Sequence, residues 1–233
     1  LPNRLMINSR LNHAIDTEHR RSEIYAEEFE YEIVEFDPPY PPERYIEVLD
    51  IVEASKPDCM ILDSASHEWA GKGGVMELID KIQASGKGGG KFAGWAELTP
   101  RHNNFVDRLM RSSTHLMVCL RGKDEYVMED NDRGKKDVKK IGVGPQQRAG
   151  IEYEFYVSLL IDQATHYAQP MKDNSHLFEH RMDMLTEKDG ERLAAWCATG
   201  VNPVQKARAD YLALEALLVA HAEKIGDEKL ATI

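Results

Sequence analysis

The sequence has 233 residues, of which 42% are hydrophobic and 30% are charged, a composition that is ordinary for a globular protein. This length is sufficient for one large domain, or for one domain with an appendage. The formal net charge of −11 argues against a protein that coats nucleic acid with its whole surface, although it permits a local basic loop.

The three cysteines, Cys59, Cys119 and Cys197, lie far apart, and the first two fall in apolar runs that predict buried strands. We therefore expect packed thiols rather than a disulfide or metal framework, which fits a reducing cytoplasm. No apolar stretch reaches the roughly 18 residues of a membrane span, and the N-terminal residues lack the apolar core of a signal peptide. A soluble protein with no membrane partner is the expectation.

Strands and helices alternate in the first 120 residues. Apolar runs predict strands at Leu1–Ile7, Leu11–Ile15, Tyr31–Phe36, Cys59–Leu62 and His115–Leu120. Helices are predicted at Ser22–Phe29, Glu43–Ala54 and Val75–Ala84, with another that continues through Phe105–Met110. This order favours an α/β fold, because a crossover helix between strands produces a parallel sheet.

The stretch from Cys59 to Trp69, CMILDSASHEW, is apolar for four residues and then abruptly polar. This pattern is typical of a central parallel strand whose carboxyl end opens into a ligand crevice. Asp63 would stand at the strand tip, from which P-loop NTPases hold a magnesium ion. An aspartate that caps the next turn, with Ser64 and Ser66 hydrogen-bonding locally, explains the spacing equally well.

A second apolar run, Leu11–Ile15, also ends on polar residues, Asp16-Thr17-Glu18. The carboxyl ends of adjacent parallel strands lie at one edge of a sheet. We therefore expect Glu18 and Asp63 to share that edge.

Two later segments are poor in apolar residues. The glycines of SGKGGGK (85–91) predict a mobile surface loop, since no Lys-Ser or Lys-Thr pair follows them at a helix start. Residues Glu129–Lys140 predict a flexible loop. The basic residues of this loop and its sequel are Arg133, Lys135, Lys136, Lys139, Lys140 and Arg148. A solvated charge run and a loop that binds single-stranded nucleic acid both account for them.

The last third of the chain predicts a hairpin followed by helices. Its strands are predicted at Glu154–Asp162 and His166–Met171. Helical spacing predicts Leu185–Ala198, with Thr186 as a cap, and a final amphipathic helix over Ala207–Ile225.

Six motifs in order carry a family resemblance: IDTEHRRSEIYA (15–26), ILDSASHEW (61–69), KFAGW and TPRHN (91–103), LRGKDEY (120–126), VGPQQRAGIEYEF (143–155) and MKDNSHLF (171–178). Together they resemble a phage-type AAA ATPase of the RecA-like P-loop family, related to the phage single-strand annealing ATPases of the Sak group. The resemblance covers about Leu11 to Gly200. It implies a RecA-like core with a mainly parallel central sheet flanked by helices over residues 1–180, and a C-terminal helical segment over residues 181–233.

The resemblance implies catalytic roles for Glu18, Asp63, Arg121, Lys123 and Lys172. Glu18 matches the carboxylate that orients and activates the attacking water, and Asp63 matches the Walker B aspartate on the magnesium shell. Arg121 and Lys123 occupy the region that senses the γ-phosphate, although RecA carries a glutamine there. Lys172 resembles the lysine that such proteins extend into the nucleotide of the neighbouring subunit.

The implied cofactors are ATP, with Asp16 and Ser64 among its contacts, and Mg²⁺, with Asp63 as its ligand. The implied function is ATP hydrolysis in DNA recombination, single-strand annealing or replication, with a site completed at a subunit interface. The implied partners are single-stranded DNA, further copies of the chain in a ring or filament, and phage or host recombination proteins in the cytoplasm of a bacterial host. Two alternatives stay open: a non-catalytic scaffold on a degenerate ATPase fold, and a nucleotide-switched loader that acts on another protein.

The sequence departs from the family at the phosphate-binding loop. No stretch matches G-x-x-x-x-G-K-[ST]. The family pattern puts this loop ahead of the strand that ends in Asp16-Thr17-Glu18, where only Asn8–Arg10 is available, and a crossover needs a dozen residues or more. Either a segment is missing where Ile7 meets Asn8, or the loop has been lost. The retained acidic residues favour the first, so we expect the full-length protein to hydrolyse ATP and the 233-residue chain to bind nucleotide poorly.

Overall fold

The computed structural model describes residues 12–86, 92–130, 136–200, 206, 208–218 and 221. The chain divides into two compact units, Leu1–Glu191 and Arg192–Ile233. Within the described ranges, every helix is too short or too polar to span a lipid bilayer.

The described strands and helices are as follows. The strands are β1 His13–Asp16, β2 Glu32–Glu35, β3 Cys59–Asp63, β4 His115–Cys119, β5 Gly122–Asp130, β6 Lys136–Pro145, β7 Val157–Ile161, β8 Tyr167–Asp173 and β9 Asp183–Met184. The helices are α1 Pro42–Ala54, α2 Ser66–Ala70, α3 Val75–Ala84, α4 Ala93–Met110 and α5 Glu187–Ala198. Short 3-10 helices cover Arg21–Tyr25 and Ile151–Tyr153.

The central sheet has four parallel strands in the order β2-β1-β3-β4, which confirms the predicted α/β class. The predicted strand at Cys59 is an inner strand, and the strand predicted at Leu11 is its neighbour. The strand predicted at His115–Leu120 is confirmed as β4, but its burial is only partial, because β4 is the edge strand of this sheet and both of its ends are exposed. Cys119 is accordingly exposed, whereas Cys59 is buried.

The main core lies between this sheet and helices α1 and α4. Tyr45, Leu49 and Val52 recur at intervals of four and three residues, so α1 presents one apolar face to Met60 and Leu62. α1 begins with Pro42, whose fixed φ and missing N–H suit the first turn of a helix. The core thereby fixes the direction of β1 and β3 and the position of their carboxyl ends.

The hairpin β5–β6 corrects the prediction of a flexible loop over Glu129–Lys140. β5 pairs antiparallel with β6 from Gly122 and Pro145 out to Asp130 and Lys136, and only residues 131–135 between them fall outside the described ranges. β-Propensity contributes to the difference, because Tyr126, Val127 and Met128 directly precede the charged run and Val138 interrupts it with a residue that favours strands.

The second antiparallel sheet has the order β7-β8-β9, and its first two strands are the predicted hairpin. β7 begins three residues later than predicted, because residues 154–156 form a turn and a bend after the 3-10 helix Ile151–Tyr153. The predicted helix over Ser22–Phe29 is also wrong in kind: Arg21–Tyr25 is a 3-10 helix, and turn follows it.

The predicted C-terminal helices are confirmed where the chain is described. α5 covers Glu187–Ala198, and both the backbone N–H and the hydroxyl of Thr186 donate to Asp189 Oδ2, at 2.7 and 2.8 Å. Residues 206, 208–218 and 221 are helical, within the predicted helix over Ala207–Ile225 or next to it.

Candidate functional site

The candidate site lies at the carboxyl edge of the parallel sheet, where β1 and β3 end side by side. Asp16 and Asp63 are paired in the register of these two strands, and the backbone N–H of Thr17 donates to the carbonyl of Asp63 at 2.7 Å. Glu18 follows on the loop after β1. The expectation that the two acidic strand ends share one edge is therefore confirmed.

Asp16 shapes the loop that carries Glu18. Its Oδ1 accepts the backbone N–H of Glu18 at 2.6 Å, and its Oδ2 accepts the backbone N–H of Ser22 at 2.8 Å and the hydroxyl of Ser22. The Asp16 side chain is buried. Both of its oxygens are thus used within the protein, and the sequence had assigned Asp16 to nucleotide binding.

Glu18 and Arg121 form a two-pronged ion pair at this edge. Arg121 Nε donates to Glu18 Oε1 at 2.8 Å, its terminal nitrogen donates to Oε2, and the Ser64 hydroxyl also donates to Oε1 at 3.1 Å. Glu18 is 5% exposed and Arg121 is 46% exposed. Burial alone would raise the pKa of Glu18, but the hydrogen bonds from Arg121 and Ser64 and the Arg121 charge lower it below its ordinary value.

His67 is a further member of the site, and sequence reasoning missed it. Its Nδ1 lies 2.8 Å from Thr17 Oγ1, its Nε2 lies 3.9 Å from Glu18 Oε1, and its ring stacks on Tyr40 with centroids 4.9 Å apart. Burial, followed by the nearby Arg121 charge, lowers the pKa of His67, so a neutral ring faces Glu18 near pH 7. The only signal in the sequence was the position of His67 four residues after Asp63.

Asp63 differs from the other two acids. Among the described residues, none of the hydrogen bonds at this edge ends on its carboxylate, which is half-buried. Burial, together with the negative charges of Glu18 and Asp16, raises the pKa of Asp63. The positive charges of Arg21 and Arg121 offset only part of the negative charge of the three carboxylates, and the remaining negative charge favours binding of a cation.

A magnesium ion fits this donor set. In the part of the chain that the structure describes, no three His, Cys, Asp or Glu side chains are arranged to hold a metal by themselves. Mg²⁺ is usually held by one or two carboxylates together with water and substrate phosphates, so it does not need such a cluster. Asp63 is the carboxylate that could take this role, because Asp16 and Glu18 already accept hydrogen bonds.

Two further residues that the sequence assigned to the site, Lys123 and Lys172, lie on the antiparallel strands β5 and β8. Lys123 is exposed on β5, opposite Gly144. Lys172 lies on β8, where its Nζ donates to the carbonyl of Tyr153. Their predicted roles at the γ-phosphate and in a neighbouring subunit stay predictions.

The predicted nucleic-acid-binding residues divide into three groups. Arg148 Nη1 donates to Asn103 Oδ1 on α4 at 2.9 Å. Lys136, Lys139 and Lys140 belong to β6, although their side chains lie outside the described part of the chain. Arg133 and Lys135 lie outside the described residues altogether.

Comparison with known proteins adds no family assignment. No protein-family model matches the chain, and no curated protein matches it. The motifs quoted above and the geometry of the carboxyl edge are therefore the basis for a functional proposal.

Proposed function

We propose that this protein is an ATPase of the RecA-like P-loop class that acts on single-stranded DNA in phage recombination, annealing or replication. The observation that carries the proposal is the meeting of Glu18, Asp63, Ser64 and Arg121 at the carboxyl edge of a parallel sheet. Ligands of open α/β sheets bind at this edge. Phosphoryl transfer depends mainly on positioning and on neutralising charge, for which these residue types are sufficient.

The proposed roles follow from the environment of each side chain. Asp63, whose carboxylate accepts no hydrogen bond at this edge from the residues that the structure describes, would hold Mg²⁺, which neutralises charge on the phosphate oxygens when it is bound. Glu18, ionised because its pKa is lowered, would orient the attacking water. Arg121, which is half-exposed, would bind the γ-phosphate.

The ion pair between Glu18 and Arg121 adds a condition to this scheme. Glu18 is proposed to orient water and Arg121 to bind the γ-phosphate, but in the structure these two side chains are bonded to each other. Phosphate binding to Arg121 would therefore replace Glu18 as its partner and free the carboxylate for water. His67 Nε2, 3.9 Å from Glu18 Oε1, is placed to support the freed carboxylate.

The hairpin β5–β6 is the proposed nucleic-acid-binding element. It begins at Gly122, directly after Arg121, and it carries Lys136, Lys139 and Lys140. Lysines that contact phosphates release counterions, so binding to single-stranded DNA should weaken steeply as salt rises. A cation-bearing hairpin next to the site also fits a nucleotide-controlled DNA-binding protein.

A non-catalytic scaffold is the second candidate, and the absence of a G-x-x-x-x-G-K-[ST] match from the sequence favours it. The residues at the carboxyl edge would then stabilise the fold but would not catalyse ATP hydrolysis. A nucleotide-switched loader that acts on another protein would share the site but would not bind DNA.

ATP hydrolysis by the complete gene product, measured with and without single-stranded DNA, tests the proposal. Glu18→Gln and Asp63→Ala should both abolish hydrolysis, and Arg101→Ala, on the surface of α4, should leave it unchanged. Stimulation by DNA that disappears in both site variants supports the DNA-dependent ATPase. If the wild-type protein fails to hydrolyse ATP at every concentration, including those at which it oligomerises, the scaffold is the better reading.

A further inference from the structure

A second polar cluster lies inside the protein, behind the turn that follows Asp63. Its members are Glu68 on α2, His102 on α4 and Gln147, which follows β6; we call them the buried triad. Their exposures are 0%, 2% and 3%, respectively. Within the described residues, no lysine or arginine pairs with Glu68, so this buried carboxyl group depends on His102 and Gln147 for hydrogen bonds.

The hydrogen bonds of the buried triad leave little freedom to its side chains. His102 Nδ1 lies 3.1 and 3.2 Å from the two carboxyl oxygens of Glu68. Gln147 Nε2 donates to Glu68 Oε2 at 3.1 Å and to the carbonyl of Ala65 at 3.0 Å, while Gln147 Oε1 accepts the backbone N–H of Arg148 at 2.7 Å. Both amide hydrogens of Gln147 and its oxygen are thereby used.

These bonds join the base of the hairpin β5–β6 to the turn between β3 and α2. Gln147 follows the end of the hairpin by two residues and is bonded to Ala65, which follows Asp63 by two. At the other end of the hairpin, the backbone N–H of Arg121 donates to Ser66 Oγ at 2.9 Å, and the Arg121 carbonyl accepts the N–H of Gln146 at 2.7 Å. Both ends of the hairpin are therefore attached to adjacent residues at the start of α2, Ala65 and Ser66.

The chemistry of the attachment is informative. An apolar contact would hold two elements together without specifying their relative position, whereas hydrogen bonds between buried groups fail if either element shifts. Arg121 stands at the junction, since its side chain bonds Glu18 and its backbone begins the hairpin. If the Arg121 side chain exchanged Glu18 for another partner, a shift of its backbone would be transmitted to the hairpin base through the hydrogen bonds with Ser66 and Gln146.

We propose that Gln147 is a positioning residue that links the occupancy of the carboxyl edge to nucleic-acid binding by the hairpin β5–β6. The inference rests on the proposed function and names the residue through which its two halves communicate. Linkage is reciprocal for binding, so nucleotide should change the affinity for single-stranded DNA by the same factor as DNA changes the affinity for nucleotide.

The test compares the affinity of the complete gene product for a fluorescent oligo-dT, with and without a non-hydrolysable ATP analogue. Wild-type protein should show a ratio of about 5- to 150-fold between the two dissociation constants. Gln147→Met keeps the length of the side chain but removes both donors, and it should reduce the ratio to about 2-fold or less while DNA affinity without nucleotide stays unchanged. The matched control is Gln146→Met, since the hydrogen bond that Gln146 makes among the described residues comes from its backbone N–H, which the substitution keeps.

Thermal unfolding identifies the variants that fold. If Gln147→Met does not fold, Glu68→Met removes the same contact from the acceptor side. A wild-type ratio in a folded Gln147→Met or Glu68→Met variant would overturn the inference and leave the proposed function intact. An equal loss of the ratio in Gln146→Met would also overturn it, because the effect would not be specific to the buried triad. Wild-type protein that binds neither ligand would overturn the proposed function as well.

Discussion

Three carboxylates at the carboxyl edge of the parallel sheet and one carboxylate inside the protein, Glu68, have different partners in the fold. At the sheet edge, the charges of two arginines, Arg21 and Arg121, offset part of the negative charge of Asp16, Glu18 and Asp63, and among the described residues no hydrogen bond at this edge ends on the Asp63 carboxylate. Inside, Glu68 is fully buried and both of its oxygens are bonded to His102 or Gln147. The edge group keeps an excess of negative charge beside the half-exposed Arg121, whereas Glu68 has each of its oxygens occupied by internal hydrogen bonds.

This difference in hydrogen bonding indicates that the edge carboxylates are suited to bind a ligand, whereas Glu68 is suited to hold neighbouring elements in position. A carboxylate that is short of donors gains from a cation or a phosphate-bound metal, so the edge is suited to a ligand. A carboxylate whose donors are all internal gains nothing from solvent and loses much if a donor is removed. The four predictions that follow test the contrast, beginning with the largest expected effect.

Removal of His102 should cause the greatest loss of stability. His102→Ala leaves the buried Glu68 with Gln147 as its remaining partner, and breaking a buried pair typically costs about 3 to 5 kcal/mol in the free energy of unfolding. Urea unfolding at pH 7 measures this. His102→Gln, which keeps a donor near Glu68, should cost clearly less, and equal losses in the two variants would contradict the role given to the hydrogen bond.

Removal of Arg121 should cost less, because this side chain is half-exposed. Arg121→Ala leaves Glu18 with the Ser64 hydroxyl, for a loss of about 1 to 2 kcal/mol at pH 7. The folded-state pKa of Glu18 lies below its ordinary 4.5, so the stability from this pair is present above pH 4.5 and is lost as pH falls through the folded pKa. Unfolding curves between pH 7 and pH 3 should therefore show a smaller acid-dependent loss in the variant.

Asp63→Asn should change stability in the opposite direction. The folded-state pKa of Asp63 is raised above its ordinary 3.8, so its ionised form opposes folding as pH rises through that range. The amide should stabilise the protein by about 0.5 to 2 kcal/mol at pH 7 while abolishing magnesium-dependent ATP hydrolysis. The gain should vanish below pH 3.8. A variant that is less stable than wild type at neutral pH would show that Asp63 is not under strain from its neighbours.

Arg101→Ala should have the smallest effect, although its hydrogen bonds are short. Arg101 donates to both oxygens of Glu43 at 2.6 and 2.8 Å, but the pair lies on the surface between α1 and α4. Exposed pairs of this kind contribute about 0 to 1 kcal/mol. The same urea experiment measures the loss in the free energy of unfolding for Arg101→Ala and for His102→Ala. Because the two residues are neighbours on α4, the main difference between the two sites is burial.

Part of the site could be predicted from the sequence because it depends on strand ends. The apolar runs before Asp16 and Asp63 locate the strands, and two parallel neighbours place both acids at one edge. The partners of these acids could not be predicted in this way. Arg121 meets Glu18 across 103 residues of sequence, and Gln147 meets Glu68 across 79.

The prediction at the hairpin β5–β6 shows the limits of composition. The charged run from Glu129 to Lys140 indicates solvent exposure, but it does not indicate whether the backbone is paired. The ladder between β5 and β6 begins at Gly122 and Pro145, next to the sheet edge, and continues into the charged residues. Local polarity and long-range pairing are independent properties, so a loop was expected where a strand is found.

The sequence by itself determined the α/β class, the parallel strands β1 to β4, the helices α1, α3 and α5, and the position of two carboxylates at strand ends. These features follow from hydrophobic periodicity over five to fifteen or so residues, which is a local property. Only the tertiary structure decided that Arg121 bonds Glu18, that His67 lies beside it, and that Glu68 is buried against His102 and Gln147. Such pairings depend on how elements that are distant in the sequence pack together, and local hydrophobic periodicity does not predict that packing.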